Sequence, residues 1–464
     1  MSTEALFVGA LVLFAVRLGA RPIADNSALL HLRTGVDLLG GLGLPSTDPY
    51  SWTAAGHPWV VQSWLAEAVA GLAHQAGGWA LVVVLHAALY GATALVVARL
   101  ARTGDAVRTL AAAGLALGIG IGFWTPRPFV YGLLALALLV TAAERERRPW
   151  WLVPLAWVWV NVHGSFVLGA GWLVLRAAGE ALDGDRAAAG RRLRQLGAFA
   201  AGLAVAAVNP VGPRLLAFPL TAIERRDVLS TLIEWRSPDF SRPDALFALV
   251  FLAGAVVVLL RARLRWADTL PVAAFVAAGL LAQRNLPVAG VVAAPALGRA
   301  LLAGGSAARP ERTRAGGLVA VAMALVAAGL VASAWRGPHL DLARYPVAAA
   351  QWMDGEGLLG PAHRMAHDVG TGNYLAFRYG REARVFVDDR LDLYPEAVSH
   401  DVDALLAGTP AALDVLERRQ VDVVLWRAGD DLPALLDLAG GWRTAYDDGD
   451  WVVLTRSPAS SRGR

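Results

Sequence analysis

Cysteine is absent from the 464 residues, so the chain has no disulfide, thiol nucleophile or thiolate metal site. Lysine is absent as well, and all 42 basic side chains are arginine. Charge is scarce. Charged residues make up 17% of the chain and hydrophobic ones 56%, where soluble domains run at about 25% and roughly 45–50%. The mean hydropathy of +0.47 points to membrane spans. The same figures exclude a disordered, fibrous or disulfide-stapled protein. A pI near 9.7 raises the question of nucleic acid, and the placement of arginine answers it below.

Apolar runs of spanning or near-spanning length recur up to about residue 335. We read them at 5–20, 78–100, 107–124, 128–143, 150–161 continuing into 164–178, 194–210, 244–260, 268–283, 286–302 and 316–335. A bilayer core needs roughly 20 apolar residues per helix. If 150–178 breaks into two helices at Asn161-Val162-His163-Gly164, there are eleven spans; one continuous helix makes ten. The first run lacks a basic flank, since Ser2-Thr3-Glu4 precedes it. More spans follow, so it reads as a retained helix rather than a signal peptide.

Arginine sets the orientation. With residue 1 in the cytoplasm and eleven spans, the inner connections 99–108, 144–148, 176–194, 261–265 and 299–314 carry 18 arginines in 55 residues. The outer connections 21–77, 125–128, 161–164, 209–243 and 283–285 carry 9 in 103. The basic pI is therefore mostly topology, and nucleic acid is not an expected partner. Residues 336–464 change composition and read as a small extracytoplasmic α/β domain. Its expected helices are 345–355, 410–419 and 432–438, with strands at 385–388, 421–426 and 451–455. Residues 457–464 form a polar tail.

Polar residues gather on one side. The loop 21–77 holds Asp25, His31, Arg33, Asp37, Asp48, His57, Gln62 and Glu67. Its segment 28–40 has the spacing of an interfacial helix, and Trp52, Trp59 and Trp64 suit a headgroup belt or a core. Arg127, Asn161, His163, Glu234 and Arg284 stand at the outer ends of spans. Polar residues are costly there and suggest function. The inner loops hold Arg, Gly and a few acids. Each outer residue has a structural alternative: a helix cap for Asp25, helix-break packing for His163, an interfacial anchor for Arg127 and Arg284.

Several stretches carry a family resemblance. They are Asp25-Asn26-Ser27 through His31 to Gly35, Pro45 through Trp59, Trp64-Leu65-Ala66-Glu67, Arg127-Pro128, Asn161-Val162-His163-Gly164, Asn209-Pro210-Val211-Gly212, Glu234-Trp235, Arg284-Asn285 and Val387-Asp388-Asp389-Arg390. The chain resembles a group of bacterial polytopic membrane proteins similar to GT-C superfamily glycosyltransferases, the class of oligosaccharyltransferases and protein mannosyltransferases. The resemblance implies a polytopic α-helical GT-C-like membrane domain over 1–335 and a small α/β domain over 336–464. It implies a plasma-membrane enzyme of the cell envelope that transfers sugar from a polyprenyl-phosphate-linked donor to a glycan, lipid or protein acceptor.

On this pattern Asp25 is the candidate catalytic base. His31, Arg127, Asn161, His163, Glu234 and Arg284 are candidate substrate-binding residues. Arg127 and Arg284 suit the phosphate, because guanidinium binds it through a bidentate fork. Relatives often show Asp-x-Asp where this chain has Asp25-Asn26-Ser27, which leaves a divalent metal without its second carboxylate. His367-Asp368-Val369-Gly370 stands where oligosaccharyltransferases carry Trp-Trp-Asp-Tyr-Gly. Asp388 and Arg390 read either as part of the site or as a structural pair. Two other functions share the outline: a non-enzymatic flippase or scaffold of polysaccharide assembly, and a ligase or polymerase of lipid-linked glycans.

Overall fold

A computed structural model describes residues 2–146, 148–224, 233–303 and 316–457. The polar tail beyond 457 and residues 304–315 of the last inner connection lie outside the described residues. The chain divides into two compact units. The first takes 1–23 and 62–339, and the second takes 24–61 and 340–464. Most of the long first loop thus belongs with the C-terminal residues, and sequence reading had kept it with the membrane helices.

The first unit is helical. Ser2 caps the helix Thr3–Gly19, its Oγ accepting from Ala5 N at 3.2 Å. The run Trp64–Leu100 breaks at Gly77–Gly78, where Gly78 adopts a φ of +62° that favours glycine. Leu152–Val162 and Phe166–Leu182 are separate helices divided at His163–Ser165. Among the described residues five helices are long and apolar enough to cross a membrane: Trp64–Leu100, Ala106–Phe123, Pro243–Arg261, Gln283–Ala303 and Gly317–Arg336. Several keep large apolar side chains on the surface, among them Val250, Leu260, Leu318 and Leu325. Apolar surface on this scale is stable against lipid, not against water.

Close backbone approach organises the bundle. A Cβ at Gly290 would lie 2.2 Å from Ala116 O, and one at Gly298 would lie 2.8 Å from Ala101 O. Only glycine lets the helix Leu286–Ala303 lie so near, as small residues do between helices in lipid.

The helix Phe129–Glu144 separates two charged ends by about 24 Å at 1.5 Å per residue. Beyond its first turn stands Arg127; its last residue, Glu144, belongs to a buried network. There Arg176 pairs with Glu144 (3.1 Å), Glu180 (3.2 Å) and Asp268 (2.5 Å), and Arg192 pairs with Glu180 (3.1 Å). Arg299 meets Glu144 at 2.8 Å and also Asp268. Three cations and three anions balance, which suits burial. The acids expected to be sparse in these loops are therefore structural.

The second unit centres on a four-stranded sheet in the order β1 (Met365–Ala366), β2 (Val423–Arg427), β4 (Trp451–Arg456), β3 (Trp442–Asp447). β1 pairs parallel with β2, and the other pairs are antiparallel. Helices Val347–Gly355, Pro410–Arg418 and Asp431–Ala439 match the periodicity, and Val369–Tyr379 and Glu396–Ala407 are additional. The buried stretch 385–388 stays outside this sheet. Val385 N donates to Tyr50 O and Val385 O accepts from Trp52 N, both at 3.0 Å. Helix Asn26–Asp37 buries Leu29, Leu30 and Leu32 within this unit and packs on Val369–Tyr379.

One arginine joins the two segments of this unit. Arg390 meets Asp388 at 2.5 Å and Asp48 at 2.7 Å. Its guanidinium lies over Tyr50 (5.0 Å) and Trp59 (4.5 Å). Trp59 is therefore core, not headgroup belt. Burial disfavours the cation, but Asp388 and Asp48 outweigh it and hold Arg390 well above its ordinary pKa. Arg390→Met leaves two buried carboxylates without their counter-charge. Such losses cost about 3–5 kcal/mol, so the second unit should melt earlier in a thermal scan of purified protein. The exposed control Arg381→Gln should leave its midpoint in place.

Candidate functional site

The expected site residues fall into two groups, one in each unit. In the first unit Arg127 projects from Thr125-Pro126-Arg127-Pro128, where proline on both sides limits the backbone. Its Nη1 donates to Glu234 Oε2 at 2.7 Å. Arg284 Nη1 lies 3.5 Å from Glu234 Oε1, and its guanidinium stacks over Trp235 at 4.2 Å. Gln283 fastens the two turns together, donating from Nε2 to Ile233 O at 2.6 Å and from its backbone N to Arg236 O at 2.9 Å. Both guanidiniums thus meet one carboxylate, at half-buried positions.

Asn161 and His163 stand at the same end of the bundle, with both side chains engaged. Trp64 Nε1 donates to Asn161 Oδ1 at 2.7 Å, and Asn161 Nδ2 donates to Trp157 O at 2.7 Å. His163 Nδ1 accepts from Ser165 N at 3.0 Å, and its ring meets Phe129 edge-on at 5.6 Å. These contacts shape the helix break.

In the second unit Asp25 caps the helix Asn26–Asp37, Oδ1 accepting from Ala28 N at 3.0 Å. The anticipated cap is therefore present, and it does not preclude a second role. His31 lies half-buried one turn further along. Ser27 Oγ donates to Asp389 Oδ2 in a short hydrogen bond. Asp389 N in turn donates to Asn373 Oδ1 at 3.0 Å. Tyr345 OH donates to Asn26 Oδ1 at 2.5 Å. Burial raises the Tyr345 pKa, and the charges of Asp25 and Asp389 raise it further.

Asp389 was missed by sequence reasoning, although the Asp388-Asp389 pair was in view. It brings a carboxylate to Ser27. Among the described residues no group of three or more His, Asp or Glu is gathered to hold a metal ion.

No known family's sequence model matches the chain, and no curated protein matches it. A solved structure does. The fold is similar to that of AglB, an archaeal oligosaccharyltransferase from Archaeoglobus fulgidus, in complex with an inhibitory peptide and a dolichol-phosphate. The TM-score is 0.52 and the identity 14%, over 98% of this chain and 75% of that one. At this identity the likeness is one of fold.

His367-Asp368-Val369-Gly370 also has a clear local role. Asp368 caps the helix Val369–Tyr379, accepting from Thr371 N at 2.7 Å. His367 is fully buried. Its Nε2 accepts from Phe386 N at 2.9 Å, so Nδ1 carries the proton and donates to Asp368 O at 2.8 Å. A second proton would set two N–H groups against each other. Burial lowers its pKa below 6.5, against the opposing pull of Asp368 and Asp388. The unfolded chain thus binds the extra proton first. This contribution to stability is complete above about pH 6.5 and is lost as pH falls toward the folded value. The thermal midpoint of the second unit should fall on acidification from neutral pH, less steeply in His367→Gln, which has no such proton to gain.

Proposed function

We propose that the protein is a membrane glycosyltransferase that moves a sugar from a polyprenyl-phosphate-linked donor to a glycan, lipid or protein acceptor. The observation that carries this reading is the likeness of fold to AglB along 98% of the chain. That protein was solved in complex with a dolichol-phosphate and an inhibitory peptide. We assign it eleven spans, a cytoplasmic N-terminus and an extracytoplasmic second unit, following the arginine bias.

In the reaction the acceptor oxygen or nitrogen attacks the anomeric carbon. The bond from that carbon to the phosphate oxygen breaks, and the phosphate leaves with the electron pair. Asp25 takes the acceptor proton. Arg127 and Arg284 hold the phosphate, where charge accumulates as the bond breaks. Their convergence on Glu234, which brings two guanidiniums together at one end of the bundle, supports that assignment. Glu234, Asn161, His163 and His31 orient the sugar and acceptor, and the internal engagement of Asn161 and His163 makes their role one of shape.

Two substitutions test the assignments. Asp25→Asn keeps the helix cap, because Asn caps as well as Asp, but cannot take a proton. Its thermal midpoint should match wild type, while transfer from a labelled polyprenyl-linked donor falls about 10²–10⁴-fold. Transfer at the wild-type rate would leave Asp25 as a cap alone. Arg127→Lys retains charge and loses the planar fork. Donor use should drop roughly 10- to 100-fold, the worth of one hydrogen bond to a charged group, at unchanged protein level. Full activity in both Arg127→Lys and Arg127→Ala would remove Arg127 from the site.

A further inference from the structure

The end of the first unit opposite Arg127 contains a cavity of about 150 Å³. Its lining includes Arg99, Thr141, Glu144, Arg145, Pro295 and Arg299. Arg299 is committed: Nη1 donates to Glu144 Oε2 at 2.8 Å and Nε to Asp268 Oδ2 at 3.0 Å. It belongs to the balanced network of Arg176, Arg192 and Arg299 with Glu144, Glu180 and Asp268. Arg99, in the last turn of Trp64–Leu100, and Arg145, just past Phe129–Glu144, are surplus to that balance. Both are exposed, and neither has a carboxylate partner among the described residues. The wall therefore offers two uncommitted guanidiniums beside a third held rigidly in place.

Depth distinguishes this cavity from a generic basic surface. Trp150 and Trp151 follow Arg145 closely and stack at 5.0 Å, each 55% exposed. Trp266, two residues before Asp268, is 53% exposed at the same end. Exposed indoles at the starts of apolar helices suit the headgroup zone of a bilayer. Leu138, one turn back from Thr141 along the helix, is 41% exposed and offers apolar surface on the bilayer side. The volume is several times the roughly 30 Å³ share of one water, enough for a tetrahedral phosphate group.

We propose that this cavity binds the phosphate of an anionic ligand, supplied by an acidic phospholipid of the leaflet opposite Arg127. Arg99 and Arg145 grip the phosphate oxygens through their forks, while Arg299 lends its field without leaving Glu144 and Asp268. The site stands whether or not the transferase reading does, because it uses none of the residues assigned to the reaction.

The test uses the full chain in nanodiscs of phosphatidylcholine, alone or mixed with phosphatidylglycerol, and reads the thermal midpoint. Phosphatidylglycerol should raise the wild-type midpoint. The double variant Arg99→Gln/Arg145→Gln should lose most of that rise and match wild type in phosphatidylcholine alone. Each lost guanidinium should weaken binding roughly tenfold or more. Arg194→Gln, exposed and away from the cavity, should keep the full rise. A separate arm adds inorganic phosphate to protein in phosphatidylcholine, against sodium chloride at equal ionic strength. A rise with phosphate that the double variant lacks would assign the site to a soluble phosphate instead of a headgroup. No rise in either arm overturns the proposal, and so does an Arg194→Gln variant that loses as much as the double variant, since the effect would then be general surface charge.

Discussion

Arg390 is buried between Asp48 and Asp388, with the rings of Tyr50 and Trp59 against its guanidinium. A charge taken out of water is costly unless its partners are close and well oriented. Here they come from both segments of the second unit, one before most of the membrane helices and one after them. The segment 24–61 has little regular structure beyond one helix, so its fixed position depends on such long-range ties. The backbone exchange of Tyr50 and Trp52 with Val385 and the contact of Ser27 with Asp389 lie in the same stretch. With Arg390 in place, Asp25 and its helix belong to the C-terminal unit rather than to a loose loop.

The first unit is organised by charge at its two ends, and the ends differ in kind. At one, Arg127 and Arg284 share Glu234 and remain partly exposed. At the other, three arginines and three acids compensate one another in the interior. Compensation makes a rigid cross-brace between helices. Partial burial of the first group strengthens its interactions, because it weakens the screening that water would provide. The indole of Trp235 over Arg284 adds apolar shielding without neutralising it.

The candidate residues were legible where chemistry depends on residue type at a span end. Arg127, Glu234 and Arg284 were visible singly as polar side chains beside apolar runs, and Asp25 as an acid opening a polar loop. That the first three would meet was not visible, since Glu234 is more than a hundred residues from Arg127 and fifty from Arg284. Asp389 was passed over for the same reason, as its relation to Ser27 spans most of the chain. Glu144 and Glu180 looked like ordinary loop acids, and Asp268 like the first residue of a span, because their partners lie on other helices.

Composition and periodicity determined that this is a helical membrane protein with a mixed α/β portion at its C-terminal end. Hydropathy started a span at Gly78 and left a break near His163 as one of two readings, and strand-forming runs located β2 and β4. These are local properties, reporting how a short window meets lipid or water. The tertiary structure decided that residues 24–61 belong with 340–464, that Val385–Asp388 pairs with Tyr50 and Trp52 instead of joining the sheet, and that inner-loop acids brace helices. Each of those outcomes depends on a pair of groups far apart along the chain, and only packing brings such a pair within the few ångströms at which charges and hydrogen bonds act.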